Sequence, residues 1–133
     1  MKTNNLSQWE KRVAVFKFVY SVLISDLSKE ETIKKFELEL KNTINDEYIN
    51  TITLYFIENR SFLEQTLEKH ILKNWTIDRV DFIDKSIIYA SISEFKSCNV
   101  NKGIIIDQAV ITAKKYGIEN SYKFVNYILD KVL

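Results

Sequence analysis

Proline is absent from the 133 residues, and glycine occurs only twice, at Gly103 and Gly117. All-β sandwiches and barrels turn the chain every few residues and use Gly or Pro in many of those turns, so this scarcity argues against them. It also excludes the glycine-rich loops that cradle phosphates. One cysteine, Cys98, leaves no partner for an intramolecular disulfide and no cysteine zinc cluster, and one histidine, His70, leaves no histidine pair for a metal. No cofactor is expected. The longest uncharged run, Tyr48 to Ile57, is far short of the roughly 20 apolar residues that cross a bilayer. The opening, Met1 to Asn5, is polar and does not read as a secretion signal. A reduced cytoplasmic compartment, with no membrane association, is the expectation.

Apolar residues make up 46% of the chain and charged residues 28%, enough for a real core and too apolar for a disordered chain. The length suits one domain. Net charge is only +1, so no global field draws the protein to a polyanion. Its distribution is uneven, at +3 over residues 1–20, −5 over 21–68 and +3 over 69–133. Any nucleic acid would therefore meet a local basic patch with few phosphate contacts, and a partner protein would be needed to reinforce it.

Trp9, Val13, Phe16, Tyr20 and Leu23 step by four and three, which predicts a first helix from about Leu6 to Ser25. Ser28 with Glu31 forms a capping-box pattern ahead of Ile33, Phe36 and Leu40, predicting a second. Asn45 is a candidate cap for a long third helix through Ile49, Ile52, Phe56, Leu63 and Leu67, bent or broken near Asn59 and Arg60. Periodicity lapses over Lys73 to Asp78, the expected border between an N-terminal helical half (residues 1–72) and a C-terminal half (73–133). Val80, Ile83, Ile87 and Ala90 predict a fourth helix, ending near Phe95. A fifth would start near Gly103 and stop at Gly117 in the left-handed conformation, and a sixth, capped by Asn120 or Ser121, would run to the end. Six helices joined by short loops make an all-α bundle.

Catalytic chemistry finds little support, and the chain is not expected to be an enzyme. His70 sits beside Lys69 near a helix end, where a capping or solvated role suits it. Glu30, Glu31, Asp46 and Glu47 occupy first helical turns, where negative charge favours the helix dipole. Binding chemistry finds more. Lys2, Lys11, Arg12 and Lys17 cluster at the start, and Lys17 stands one helical turn from Tyr20. Cations for phosphates beside a ring for stacking suit single-stranded RNA, although Tyr20 also belongs to the apolar stripe and competes as a core residue. Lys114, Lys115, Lys123 and Lys131, with Ser121, Tyr122 and Asn126, offer a second polar surface that is equally compatible with an ordinary solvated helix face.

The segment Ile104 to Lys131, IIIDQAVITAKKYGIENSYKFVNYILDK, resembles the terminal signature of the bacterial transcription antitermination family NusB. It has an apolar trio, two polar residues and Ala, then Ala-Lys, an aromatic, Gly, an acidic residue, Ser and Lys-Phe-Val-Asn. Trp75, Arg79, Ile83, Asp84, Ile87 and Glu94 keep the spacing of that family's preceding helix, and Arg12, Lys17, Val19 and Tyr20 resemble its start. The likeness spans nearly the whole chain and is faintest between Leu27 and Ile71. Trp9 and Glu10 stand where the family usually has cations, Tyr89 replaces an Arg, Asp107-Gln108 replaces Asn-Glu, Tyr127 replaces a Gly, and Asn120 stands where Asp is usual.

The resemblance implies an all-α protein of two small helical subdomains. It implies an RNA-binding adaptor that pairs with NusE, a small-subunit ribosomal protein, on boxA-like RNA during antitermination and ribosomal RNA synthesis, with the RNA polymerase elongation complex reached indirectly. RNA contact would fall on Lys11, Arg12, Lys17, Tyr20, Asn120, Ser121, Lys123, Phe124 and Asn126, and contact with the ribosomal protein on Asp78 and Asp84. The depleted arginine run keeps an alternative open. The chain would then be a NusB-like interaction module without RNA affinity, or a freestanding relative of the accessory domain of RNA cytosine methyltransferases.

Overall fold

The structure, a computed structural model, describes residues 5–71 and 79–133. Among them are six α-helices and no strands: α1 (Gln8–Ser25), α2 (Lys29–Phe36), α3 (Glu47–His70), α4 (Phe82–Ser97), α5 (Lys102–Tyr116) and α6 (Ser121–Val132). The expected border over Lys73 to Asp78 lies outside the described residues, which resume with a short turn at Arg79 and Val80 that leads into α4. None of the described helices is long and apolar enough to cross a membrane.

Local chemistry explains most helix ends. Ser7 opens α1 with a reciprocal box: its Oγ accepts from the Glu10 N–H at 3.1 Å and its own N–H donates to Glu10 Oε1 at 2.8 Å. Ser28 and Glu31 repeat the device at α2, as their spacing predicts. After α2 the chain makes one wide turn over Glu37–Lys41, with the Asn42 N–H bonded to the Glu37 carbonyl, and this delivers Leu40 to the core.

The cap of α3 differs from expectation. Asn45 adopts a left-handed φ of 49°, and Asp46 is the cap, accepting from the Ile49 N–H at 2.9 Å. A carboxylate there satisfies the free N–H and also meets the positive end of the helix. The predicted bend is present at Asn59, with φ −125° and ψ 22°. The Asn59 side chain donates to the Tyr55 carbonyl at 2.9 Å, taking an acceptor that the helical ladder would otherwise use.

Helix α4 is the axis of the bundle, packed against α1, α3, α5 and α6. Its apolar stripe predicts one buried face, yet every residue from Ser86 to Glu94 is buried. Small Ser and Ala side chains allow neighbours to approach on the faces that periodicity leaves polar. Ser86 Oγ donates to the Phe82 carbonyl at 2.6 Å, so a hydroxyl can be enclosed without being orphaned.

Gly117 ends α5, but with φ −85° and ψ 172° it is extended, and the expected left-handed closure is not what it provides. Its use is steric. A Cβ at this position would lie 2.6 Å from Ser121 Cβ and 2.7 Å from the Ala113 carbonyl oxygen. Only glycine lets α6 start so close to the end of α5. The left-handed residue in this turn is Asn120, with φ 72°. Gly117→Ala should therefore lower stability by about 1–2 kcal/mol, the overpacking cost exceeding the smaller benefit of a stiffer unfolded chain. Thermal melting checks this; an unchanged or raised Tm would mean that α6 shifts freely.

Candidate nucleic-acid interface

Helix α1 carries four of the expected RNA contacts, and the fold treats them in two ways. Arg12 turns inward. Its Nε donates to both Glu94 oxygens at 3.0 and 2.9 Å and its Nη2 lies 2.9 Å from Oε2. Tyr48 of α3 donates its hydroxyl to the same carboxylate. The Glu94 side chain is only 4% exposed, so the guanidinium and phenol supply the interactions that water would otherwise provide. Burial alone would weaken the hold of Arg12 on its proton, but Glu94 and Tyr48 more than reverse this and raise its pKa. Burial, reinforced by Glu94, raises that of the Tyr48 phenol.

Lys11 is also engaged, its Nζ lying 3.0 Å from Oδ2 of buried Asp46, the α3 cap. Burial pushes the Asp46 carboxyl upward, but the Ile49 N–H and Lys11 outweigh it and hold the group below its ordinary range. The charges of Lys11 and Arg12 are thus directed at interior acids.

Lys17 and Tyr20 remain at the surface. Lys17 is exposed, with Nζ 5.4 Å from the centre of the Tyr116 ring at the end of α5, and Tyr20 is half-buried. Lys115 Nζ lies 5.6 Å from the Trp9 ring and 5.9 Å from that of Tyr116, and Lys114 Nζ lies 4.8 Å from the Tyr122 ring. Trp9 is anchored from beneath, its indole N–H donating to Thr112 Oγ1 at 3.2 Å. The result is a strip of interleaved rings and cations along α1, the end of α5 and the start of α6. Each lysine over a ring keeps its ammonium available to water and to anions.

On α6, Asn120, Lys123 and Asn126 are exposed, Phe124 is half-buried and Ser121 is buried. Asp78 lies outside the described residues. Asp84 is only 6% exposed and faces Ser121 across the α4–α6 seam, so as placed it offers little surface to another molecule. Neither Asp84 Oδ1 nor Ser121 Oγ makes a hydrogen bond of normal geometry among the described residues. Burial pushes the Asp84 carboxyl up to about 6, with Asp81 adding to the rise and Ser121 opposing it. His70 Nδ1 faces the Thr66 carbonyl at 2.9 Å, and Cys98 is half-buried beside Ser97 at the end of α4.

Sequence reasoning missed Tyr116 and Trp9 as parts of this surface and Tyr48 as a partner of Glu94. The Lys114-Lys115-Tyr116 run was a usable signal, since it places cations beside a ring at a helix end. Nothing in local spacing joins Arg12 to Glu94.

Three comparisons bear on what this surface serves. Residues 10–133 match the NusB family model. The "Transcription antitermination protein NusB" of Borreliella burgdorferi is 31% identical over 131 residues, covering 93% of this chain and 92% of the relative. Two solved structures are similar. A Mycoplasma genitalium protein described as showing structural homology to NusB proteins has a TM-score of 0.78 and 26% identity, over 96% of this chain and all of that one. NusB of T. maritima has a TM-score of 0.71 and 29% identity, over 99% and 92% of the two chains.

Two outcomes follow from the geometry. Arg12→Ala strands a buried carboxylate and should cost about 3–5 kcal/mol in denaturant unfolding, with part of the loss recovered when Glu94→Gln is added. A loss below about 1 kcal/mol would show that water reaches Glu94. The second concerns Asp84, which binds its proton more tightly folded than unfolded. Its contribution to stability is complete near pH 4 and lost as pH rises to about 6. Asp84→Asn should therefore gain on the parent by up to about 3 kcal/mol between pH 4 and 7. Parallel stability curves across that window would contradict the burial argument.

Proposed function

The chain belongs to the NusB family, and from that premise we propose that it is a non-enzymatic RNA-binding adaptor. It pairs with the ribosomal protein NusE on boxA-type RNA, and through them acts on the elongation complex in transcription antitermination and ribosomal RNA synthesis. The observation that carries this reading is the strip of Trp9, Lys17, Lys115, Tyr116, Lys114 and Tyr122, which pairs exposed cations with half-buried rings. Phosphates would meet the ammonium groups and bases the ring faces, the combination by which single-stranded RNA is held. Lys123 stands exposed beside Tyr122 at the start of α6 and would add a further cation.

The contact with NusE is assigned to the surface beside the N-terminal end of α4, to which enclosed Asp84 would contribute only through its place under that surface. An adjoining groove of about 490 Å³ supports it: Arg60 bridges Asp26 and Glu64 there, Glu68 and Lys85 complete a rim with a small acidic excess, and Ile24 and Phe82 stand exposed. An acidic rim around apolar side chains suits a basic ribosomal protein. One observation favours a second reading, an interaction module without RNA affinity: Lys11 and Arg12 are spent on Asp46 and Glu94. With so few free cations, RNA affinity in the absence of NusE should be weak and strongly salt-dependent.

Gel-shift titration of boxA-type RNA with and without NusE separates the readings. NusE should tighten binding, and Lys123→Glu should weaken it and reduce the salt slope by about one, while stability stays within about 0.5 kcal/mol. Equal RNA binding by Lys123→Glu would remove α6 from the surface, and no RNA retention with NusE present would favour the interaction module.

A further inference from the structure

We propose that α5 pairs antiparallel with α5 of a second copy of this chain, across a two-fold axis at Ile111. Ile104, Ile111 and Ile118 are 51%, 44% and 66% exposed and follow one another at seven-residue steps. Seven residues are nearly two helical turns, so Ile104 and Ile111 share one outward line of α5, and Ile118 continues it in the turn just past the helix. Single exposed apolar residues are ordinary. A row of three, on a helix that packs on α4 and α6 by its other sides, is a face that lacks a cover.

The two ends of α5 say what covers it. Beside the first half lies a groove of about 520 Å³ between α5 and α6, lined by half-buried Ile106 and Val110 and by exposed Asp107 and Asp130. Lys102 in that lining is turned to Asp130, its Nζ lying 3.2 Å from the carbonyl oxygen and 3.9 Å from Oδ1. Asp107 is left without an ion pair among the described residues. Past the other end Ile118 stands close in sequence to exposed Lys114 and Lys115, which lie over the Tyr122 and Trp9 rings. One end is an acidic groove and the other a cationic apolar knob.

An antiparallel two-fold pairing brings knob to groove at both ends at once. Ile104 stands seven residues before Ile111 and Ile118 seven after; Asp107 stands four before, and Lys114 and Lys115 three and four after. Ile111 therefore meets its own copy on the axis, and each Ile118 reaches the other copy's Ile104 and the groove beside it. Each Asp107 faces the other copy's Lys114 and Lys115. Parallel pairing would set carboxylate against carboxylate and lysine against lysine. A different partner would have to match this alternation residue by residue, whereas a second copy supplies it by symmetry. Fifteen residues make α5 about 22 Å long, so the pair buries about 1,000 Å² in all, which suits a weak dimer half-formed at about 10–100 μM.

Sedimentation equilibrium of the full-length chain tests this, in the absence of nucleic acid because Lys114 and Lys115 also belong to the cationic strip. Between about 1 and 500 μM the average mass should climb from 15.7 kDa toward twice that value. Ile111→Arg, at an exposed site, sets two guanidinium groups against each other on the axis and should keep the chain monomeric throughout. Asp107→Lys should weaken association about tenfold or more, and so should Lys114→Glu combined with Lys115→Glu, because like charges then meet at both ends. An equimolar mixture of those two variants should recover most of the loss, since every contact again joins opposite charges, and a misfolded variant could not do so. A parent mass constant at 15.7 kDa leaves the face to some other molecule and overturns the proposal. A dimer indifferent to Ile111→Arg, a mass that climbs past the dimer as open head-to-tail association would, or a mixture no tighter than its components overturns it as well.

Discussion

Glu94 is a carboxylate, 3% exposed, enclosed in a bundle whose buried positions are mostly apolar, with Tyr89, Phe56 and several Ile, Leu and Val side chains the largest. A bare charge at such a site would be expelled by solvation, and the fold accommodates it by bringing Arg12 from α1 and Tyr48 from α3 onto the same two oxygens. Three helices are thereby tied at one point. Arg12 is both a structural requirement of α4 and the pin that sets the rotation of α1 about its axis. Apolar packing tolerates sliding more readily than a bidentate pair does.

That rotation has a consequence at the surface. An α-helix turns about 100° per residue, so with Arg12 aimed at Glu94, Trp9 lies about 60° around the axis, Tyr20 about 80° and Lys17 about 140°. All three fall in one sector, on the edge of α1 that borders α5. There the end of α5 adds Lys115 and Tyr116, and the tight turn permitted by Gly117 brings α6 and Lys123 alongside. The cation buried at Arg12 thus organises the cations left outside, and a surface of low net charge gains local definition from it.

Much of the architecture was legible in the sequence because it is local. The 3.6-residue period at Trp9 to Leu23, the Ser28 and Glu31 box and the lapse at Asn59 each reflect the chemistry of adjacent turns. Other features were not legible, for physical reasons. Asn45 and Asp46 are both capable caps, and only the path into α3 decides that Asn45 takes the left-handed turn and Asp46 the N–H. Periodicity placed one stripe of α4 inside because serines read as polar, although small side chains suit a helix enclosed on every side. Gly117 looked like a left-handed closure, and its actual constraint is the approach of Ser121, which no short-range pattern encodes. On the candidate interface, residue type singled out Lys11 and Arg12 as well as Lys17 and Tyr20. Which cations face interior acids depends on partners as far as 82 residues away in the chain.

The central claim is that the Arg12–Glu94 pair stays closed while the strip beside it meets RNA. Titration of boxA-type RNA into the isotopically labelled chain with NusE, followed by nitrogen–proton correlation spectra, tests it most directly. The account predicts shifts at the Trp9 indole and at the amides of Lys17, Tyr20, Lys115, Tyr116 and Lys123, with the Arg12 Nε resonance unmoved. A large displacement of Arg12 Nε, or shifts confined to the acidic faces of α2 and α3, would contradict it.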